Sequence, residues 1–166
     1  MATCSLTPVD GGPDVMKIAT ASVADAEEIS ALIVGLSEPF FLSPSREGAE
    51  PFLASIAAEA QRGYLAASNF TYRVARAGAR IVGVVALRDN AHLFHLFVAE
   101  DFQGRGLARR LWQLVESEAL QAGNPGVFTV NASLDAVPLY EKFGFARVGE
   151  VQRVHGVSFQ PMKSTP

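Results

Sequence analysis

Hydrophobic positions along the chain change period several times, and each change predicts an element. A short alternating run from Lys17 to Ala21 predicts a strand, after which Ser22 or Asp25 can cap a helix carrying Ile29, Leu32, Ile33 and Leu36 at helical spacing. A second helix is predicted from Ser45 to Gln61, with Phe52, Ile56 and Ala60 on one stripe and Gly63 as its stop. The runs Thr71–Ala75 and Arg80–Leu87 read as a hairpin joined across Ala77-Gly78-Ala79, and Asp89-Asn90 turns the chain into a third strand, His92 to Val98. At Gln103 the period lengthens: Leu107, Leu111, Leu114 and Val115 mark an amphipathic helix ending near Gly123-Asn124-Pro125. Val127–Val130 then reads as a strand and Leu134–Phe143 as a short helix stopped by Gly144. Phe145–Met162 reads as a final hairpin turning at His155-Gly156.

The resulting order, β-α-α-β-β-β-α-β-α-β-β, is an α/β layer sandwich without internal repeats. Met1 to Val15 mixes Thr, Ser, Pro, Gly and Asp without period and reads as a flexible tail ahead of one domain spanning residues 16–166. At 166 residues, 49% hydrophobic and 19% charged, the chain has the make-up of one soluble domain. No apolar run reaches membrane-spanning length and no secretory signal opens the chain, so a cytoplasmic location is expected and membrane association is not. A single cysteine, Cys4, offers neither a disulfide nor a cysteine-rich metal site, and no metal is expected. The net charge of −3 speaks against a nucleic-acid partner.

Candidate chemistry concentrates where the strand His92–Val98 empties into a glycine-bearing turn that opens a helix. Backbone N–H groups at a helix start lack intrahelical partners and favour anions. A P-loop would need Lys and Ser/Thr after the last glycine, where Leu107 and Ala108 stand; a dinucleotide fingerprint would need glycine at Arg109. Taken alone, Gly104 and Gly106 need be no more than a tight turn, and Arg105, Arg109 and Arg110 no more than a solvated helix face.

Gln103-Gly104-Arg105-Gly106-Leu107-Ala108, following Leu96-Phe97-Val98, resembles the acetyl-CoA loop of the GNAT N-acetyltransferase superfamily, in its bacterial-type members. Downstream, Val130-Asn131-Ala132-Ser133 followed by Tyr140-Glu141-Lys142-Phe143-Gly144-Phe145 is similar to that superfamily's second signature. The resemblance implies a single mixed, mostly antiparallel sheet flanked by helices on both faces. It implies acetyl-CoA as co-substrate, its diphosphate on the amides of residues 103–108 and its pantetheine arm along Leu96, Phe97 and Val98. Many relatives carry asparagine where Ser133 stands; Asn131 can replace it against the arm, or both can simply cap the helix.

By the same resemblance, Tyr140 is the general acid that protonates the departing thiolate; an isolated tyrosine there would read as core. An alkylamine with a pKa of about 10.4 must lose a proton before attack, at about 4.6 kcal/mol at pH 7, so a base is expected. Strict alternation places His92, Phe94, Leu96 and Val98 on one face and Leu93, His95 and Phe97 on the other. His92 matches the position where serotonin-type acetyltransferases carry histidine and histone acetyltransferases glutamate, and is the candidate base, ahead of His95 and Glu100. A surface or turn role for His92 stays open.

Glu38, Phe40 and Phe41, between the first two helices, are the candidate acceptor contacts, although both phenylalanines also suit a core. The expected partner is a small-molecule amine, or a peptide, that attacks acetyl-CoA directly in a ternary complex; a homodimer is in keeping with the family. A CoA-binding module without catalysis and a protein acetyltransferase are the rival readings.

Overall fold

The computed structural model describes residues 16–166. In it the chain runs β1 (Met16–Thr20), α1 (Ala26–Gly35), α2 (Glu50–Ile56), α3 (Ala58–Ala66), β2 (Phe70–Ala77), β3 (Arg80–Arg88) and β4 (His92–Val98). It continues through α4 (Leu107–Gln121), β5 (Phe128–Ala132), α5 (Val137–Lys142), β6 (Ala146–Arg147), β7 (Gln152–Val154) and β8 (Val157–Ser164). The tail expected over residues 1–15 lies outside the described residues.

The strands follow the order β1-β2-β3-β4-β5-β8-β6, with β7 paired to β8. Every pairing is antiparallel except β4–β5, so the sheet is mixed and mostly antiparallel. Central β3 is buried from Ile81 to Leu87, which explains its unbroken apolar run where an edge strand would alternate. On one face α4 seals Leu107, Leu111, Trp112 and Val115 against Val82, Val85, Leu93 and Phe128. On the other, Ile29 and Ile33 of α1 and Ile56 of α2 cover Tyr72, Val74, Val84 and Ala86. Among the described residues no helix is long and apolar enough to cross a membrane.

Local differences from the predicted elements have identifiable causes. The second helix is broken at Ala57, whose extended backbone (φ −68°, ψ 159°) restarts the helix as α3. Ser30 Oγ donates to the Ile56 carbonyl there at 2.7 Å, satisfying a helix-end acceptor. The break turns Gln61 fully inward, and α3 runs through Gly63 to Ala66. Ser22 and Asp25 act together: the Ser22 N–H donates to Asp25 Oδ2 at 2.8 Å, and a 3-10 turn precedes α1. The final hairpin is three strands, because β6 and β7 pair with separate stretches of β8.

The segment after α1 is strapped to the β7–β8 turn. Leu42 N–H donates to the Gly156 carbonyl at 2.9 Å, and Phe41 bridges to Val157. Gly156 has φ +74°, and a Cβ there would run into the Glu47 carbonyl and come within 2.8 Å of the Ala49 amide nitrogen. Gly156→Ala should therefore lift residues 41–49 off the hairpin and lower unfolding free energy by about 1–3 kcal/mol. Urea denaturation checks this; an unchanged midpoint would show that the strap bears no strain.

Candidate active site

The turn between β4 and α4 takes its shape from two glycines in the left-handed region, Gly104 (φ 77°) and Gly106 (φ 80°). Gly106 is the N-cap of α4, so the helix begins at Leu107, four residues later than its period suggested, and its first-turn N–H groups face outward. The Gln103 side chain turns back to the strand. Its amide donates to the Val98 carbonyl at 2.9 Å and ties the turn to the strand end. The Arg105 guanidinium stacks on Phe102 at 4.9 Å, so Arg105 contributes its backbone to the turn.

The turn opens onto a cleft of about 1010 Å³. One wall is Leu96, Val98, Gln103, Gly104 and Gly106 to Arg109; the opposite wall is Ser133, Asp135, Ala136, Leu139, Lys142 and Phe143; Gly35, Leu36, Glu38 and Pro39 close one end. Arg109 lies over the Phe143 ring at 5.1 Å, so a cation and an aromatic plane meet beside the helix start.

The cleft exists because β4 and β5 pair only at His92↔Thr129 and Leu93↔Val130 and then part. In the wedge between them is an inner chamber of about 50 Å³, bounded by Phe40, Leu93, Phe94, Leu96, Phe97 and Val130, with Asn131, Ser133, Ala136 and Tyr140 completing it. Leu96, Ser133 and Ala136 border both spaces.

Tyr140 is 6% exposed. It packs edge-on against Phe143 and Phe145, and among the described residues its hydroxyl has no hydrogen-bond partner. Burial raises its pKa, so it keeps its proton at neutral pH. A buried hydroxyl left unsatisfied costs about 1–3 kcal/mol, so this one is poised to bond whatever enters the chamber.

A β-bulge in β4 corrects the strict alternation drawn for that strand. The register jumps from Ala86↔His95 to Leu87↔Leu93, leaving Phe94 as the extra residue. Leu93, Leu96 and Val98 therefore share the α4 face, while Phe94 and Phe97 pack with the α1–α3 layer. His95 points to the same layer, buried against Tyr64, Tyr72, Phe94 and Phe97. Tyr72 O–H donates to Gln61 Oε1 at 2.7 Å, which turns the Gln61 amide nitrogen to His95 Nε2 at 3.3 Å. The imidazole thus accepts at Nε2, and burial pulls its pKa down to about 3.

His92, at the closed root of the wedge, holds Nδ1 2.8 Å from Thr129 Oγ1. Burial, reinforced by the Arg88 guanidinium and opposed by Asp89, brings its pKa down to about 4, so it is neutral at pH 7. It stands one residue outside the chamber wall that begins at Leu93. Glu100 lies on the outer cleft.

Of the acceptor candidates, Phe40 lines the chamber and stacks near Phe52, while Glu38 sits on the outer cleft, paired with Arg46 at 3.0 Å. Phe41 turns to the hairpin beneath the Arg46 guanidinium, outside both linings. Sequence reasoning missed the α5 wall, Leu139, Lys142 and Phe143, although their helical spacing was an available signal. The Gln61–Tyr72–His95 chain left none, since it joins three distant elements.

A model of the acetyltransferase (GNAT) domain matches residues 41–166. An acetyltransferase of Agrobacterium fabrum is 36% identical over 56 residues, covering 34% of this chain and 41% of that protein. N-acetyltransferase 8 of Mus musculus is 32% identical over 104 residues, covering 56% of this chain and 46% of that protein. The matched stretches thus span under half the length of these relatives. Among solved structures, a GCN5-related N-acetyltransferase of Rhodopseudomonas palustris superposes with a TM-score of 0.70 at 22% identity, covering 90% of this chain and 95% of that one. The PaiA N-acetyltransferase of Thermoplasma acidophilum, in complex with coenzyme A, gives 0.70 at 16% identity, covering 92% and 99%.

Proposed function

The chain belongs to the GNAT acetyltransferase family, and we propose that it moves the acetyl group of acetyl-CoA to a primary amine of a small acceptor by direct attack in a ternary complex. The observation that carries this reading is the meeting, in an adjoining cleft and chamber, of a helix start whose first N–H groups lack intrahelical partners and a buried phenol without a hydrogen-bond partner among the described residues. The diphosphate lies on the amides from Gln103 to Ala108, with Arg109 beside it. The arm follows Leu96, Phe97 and Val98, whose edge is left unpaired by β5, past Ser133 and Asn131.

In the reaction the amine lone pair attacks the thioester carbonyl, the C–S bond breaks, and Tyr140 gives its proton to the leaving sulfur. Bonded to the carbonyl carbon, the nitrogen becomes far more acidic and its surplus proton passes through water to His92, which stands outside the chamber, and the Tyr140 phenolate regains a proton from water as the products leave. Phe40 bounds the acceptor's space, and Glu38 can meet a cationic part of it by exchanging its partner Arg46.

Calorimetric titration of the full chain with CoA tests the reading. Association is expected, and Gly106→Val should weaken it at least about tenfold, because a β-branched residue resists the positive φ that the turn requires. Absence of heat with both CoA and acetyl-CoA would overturn the proposal. CoA binding without acetyl transfer to any amine would point instead to a binding module.

A further inference from the structure

The chamber's polar groups are Asn131, Ser133 and Tyr140, and none of the residues lining it carries a formal charge at neutral pH. Glu38, Glu100 and Asp135 lie on the outer cleft, and Asp89, beside His92 at the root of the wedge, is paired with Arg88. The Arg88 guanidinium, 5.5 Å from the centre of the Phe94 ring, is paired with Asp89 at 3.6 Å, so the two together offer an incoming cation no free carboxylate behind that wall. An ammonium ion entering this space would lose water and gain no counter-ion.

The histidine at the root of the wedge is a poor base for a free ammonium. His92 is held by Thr129 and flanked by Arg88 and Asp89. It suffices for the acidic N–H of a nitrogen that has already attacked, but that step comes after the amine has arrived in neutral form. An alkylamine is neutral at pH 7 only at a cost of about 4.6 kcal/mol, whereas an α-amino group with a pKa near 7.7–8.0 needs about 1 kcal/mol. An aromatic amine needs none.

Resting on the reading that this chamber receives the reacting nitrogen, we infer that the acceptor is a weakly basic amine, one attached to an aromatic ring or flanked by a carbonyl, and not an alkylammonium of the polyamine or lysine kind. The aromatic wall of Phe40, Phe94 and Phe97 suits such an uncharged body.

Three probes sharing a phenyl group separate the alternatives: aniline, phenylalanine amide and 2-phenylethylamine, each acetylated by the full chain between about pH 6 and 9. For aniline kcat/KM should be flat, and for phenylalanine amide it should level off by about pH 8. For 2-phenylethylamine it should climb about tenfold per pH unit, as the neutral fraction grows. Asn131→Asp, which puts a carboxylate on the chamber wall with little change of shape, should raise the phenylethylamine-to-aniline ratio of kcat/KM at least about tenfold at pH 7. A phenylethylamine profile already level near pH 7, an unmoved ratio in Asn131→Asp, or transfer to none of the probes would each overturn the inference. The calorimetric measurement with CoA is independent of all three, so an intact cofactor signal beside a reversed preference removes this inference alone.

Discussion

Replacing Tyr140 by Phe is expected to lower kcat by about 100-fold while leaving CoA affinity within about twofold, since on the proposed reaction only a proton donor to the leaving sulfur is lost. The ring keeps its packing against Phe143 and Phe145, so no cavity forms. Because the hydroxyl has no partner among the described residues, the variant should be as stable as the parent, or more so by up to about 1 kcal/mol. Slower turnover with undiminished stability is a signature that a purely structural tyrosine would not give. Steady-state kinetics with parallel urea melts provides the check, and unchanged kcat would remove Tyr140 from the proton path.

The second large effect concerns acid. His95 accepts from Gln61 only as a neutral imidazole; once protonated, its Nε2–H would face the Gln61 amide donor inside a dry layer. Its folded pKa of about 3 lies below the ordinary 6.5, so between those values the unfolded chain binds the extra proton. The stabilisation is therefore complete above about pH 6.5 and is lost as pH falls, at up to about 1.4 kcal/mol per pH unit. His92 acts in the same direction, with a smaller share because it is only partly buried. Between pH 6.5 and 5 the parent should lose about 2 kcal/mol more than His95→Gln, which has no proton to take up there. Urea midpoints at the two pH values decide it, and equal losses in the two proteins would rule out His95 as the source.

How far the chain could be read follows from which features are local. The glycine turn between β4 and α4 was legible because its positive-φ residues and the helix period sit within a few positions of each other. The hairpin of β2 and β3 was legible for the same reason. The break at Ala57 was not, because neither glycine nor proline marks it and its end is stabilised from α1 by Ser30. The bulge at Phe94 was not, since it follows from the register that β4 adopts on β3. That one residue exchanged the faces of Leu93 and Phe94, while His95 kept the face of Phe97. Likewise Gln61 read only as the end of the second predicted helix, and the fold brings Tyr72 and His95 to it.

The two-rung contact between β4 and β5 has a consequence for the domain as a mechanical object. The two halves of the sheet meet only at His92–Leu93 and Thr129–Val130, and on the proposed reading a slender molecule with amide groups along its length would splice the open edge much as an extra strand would. Loading would then stiffen the join between the halves, and the empty protein would be the looser of the two forms.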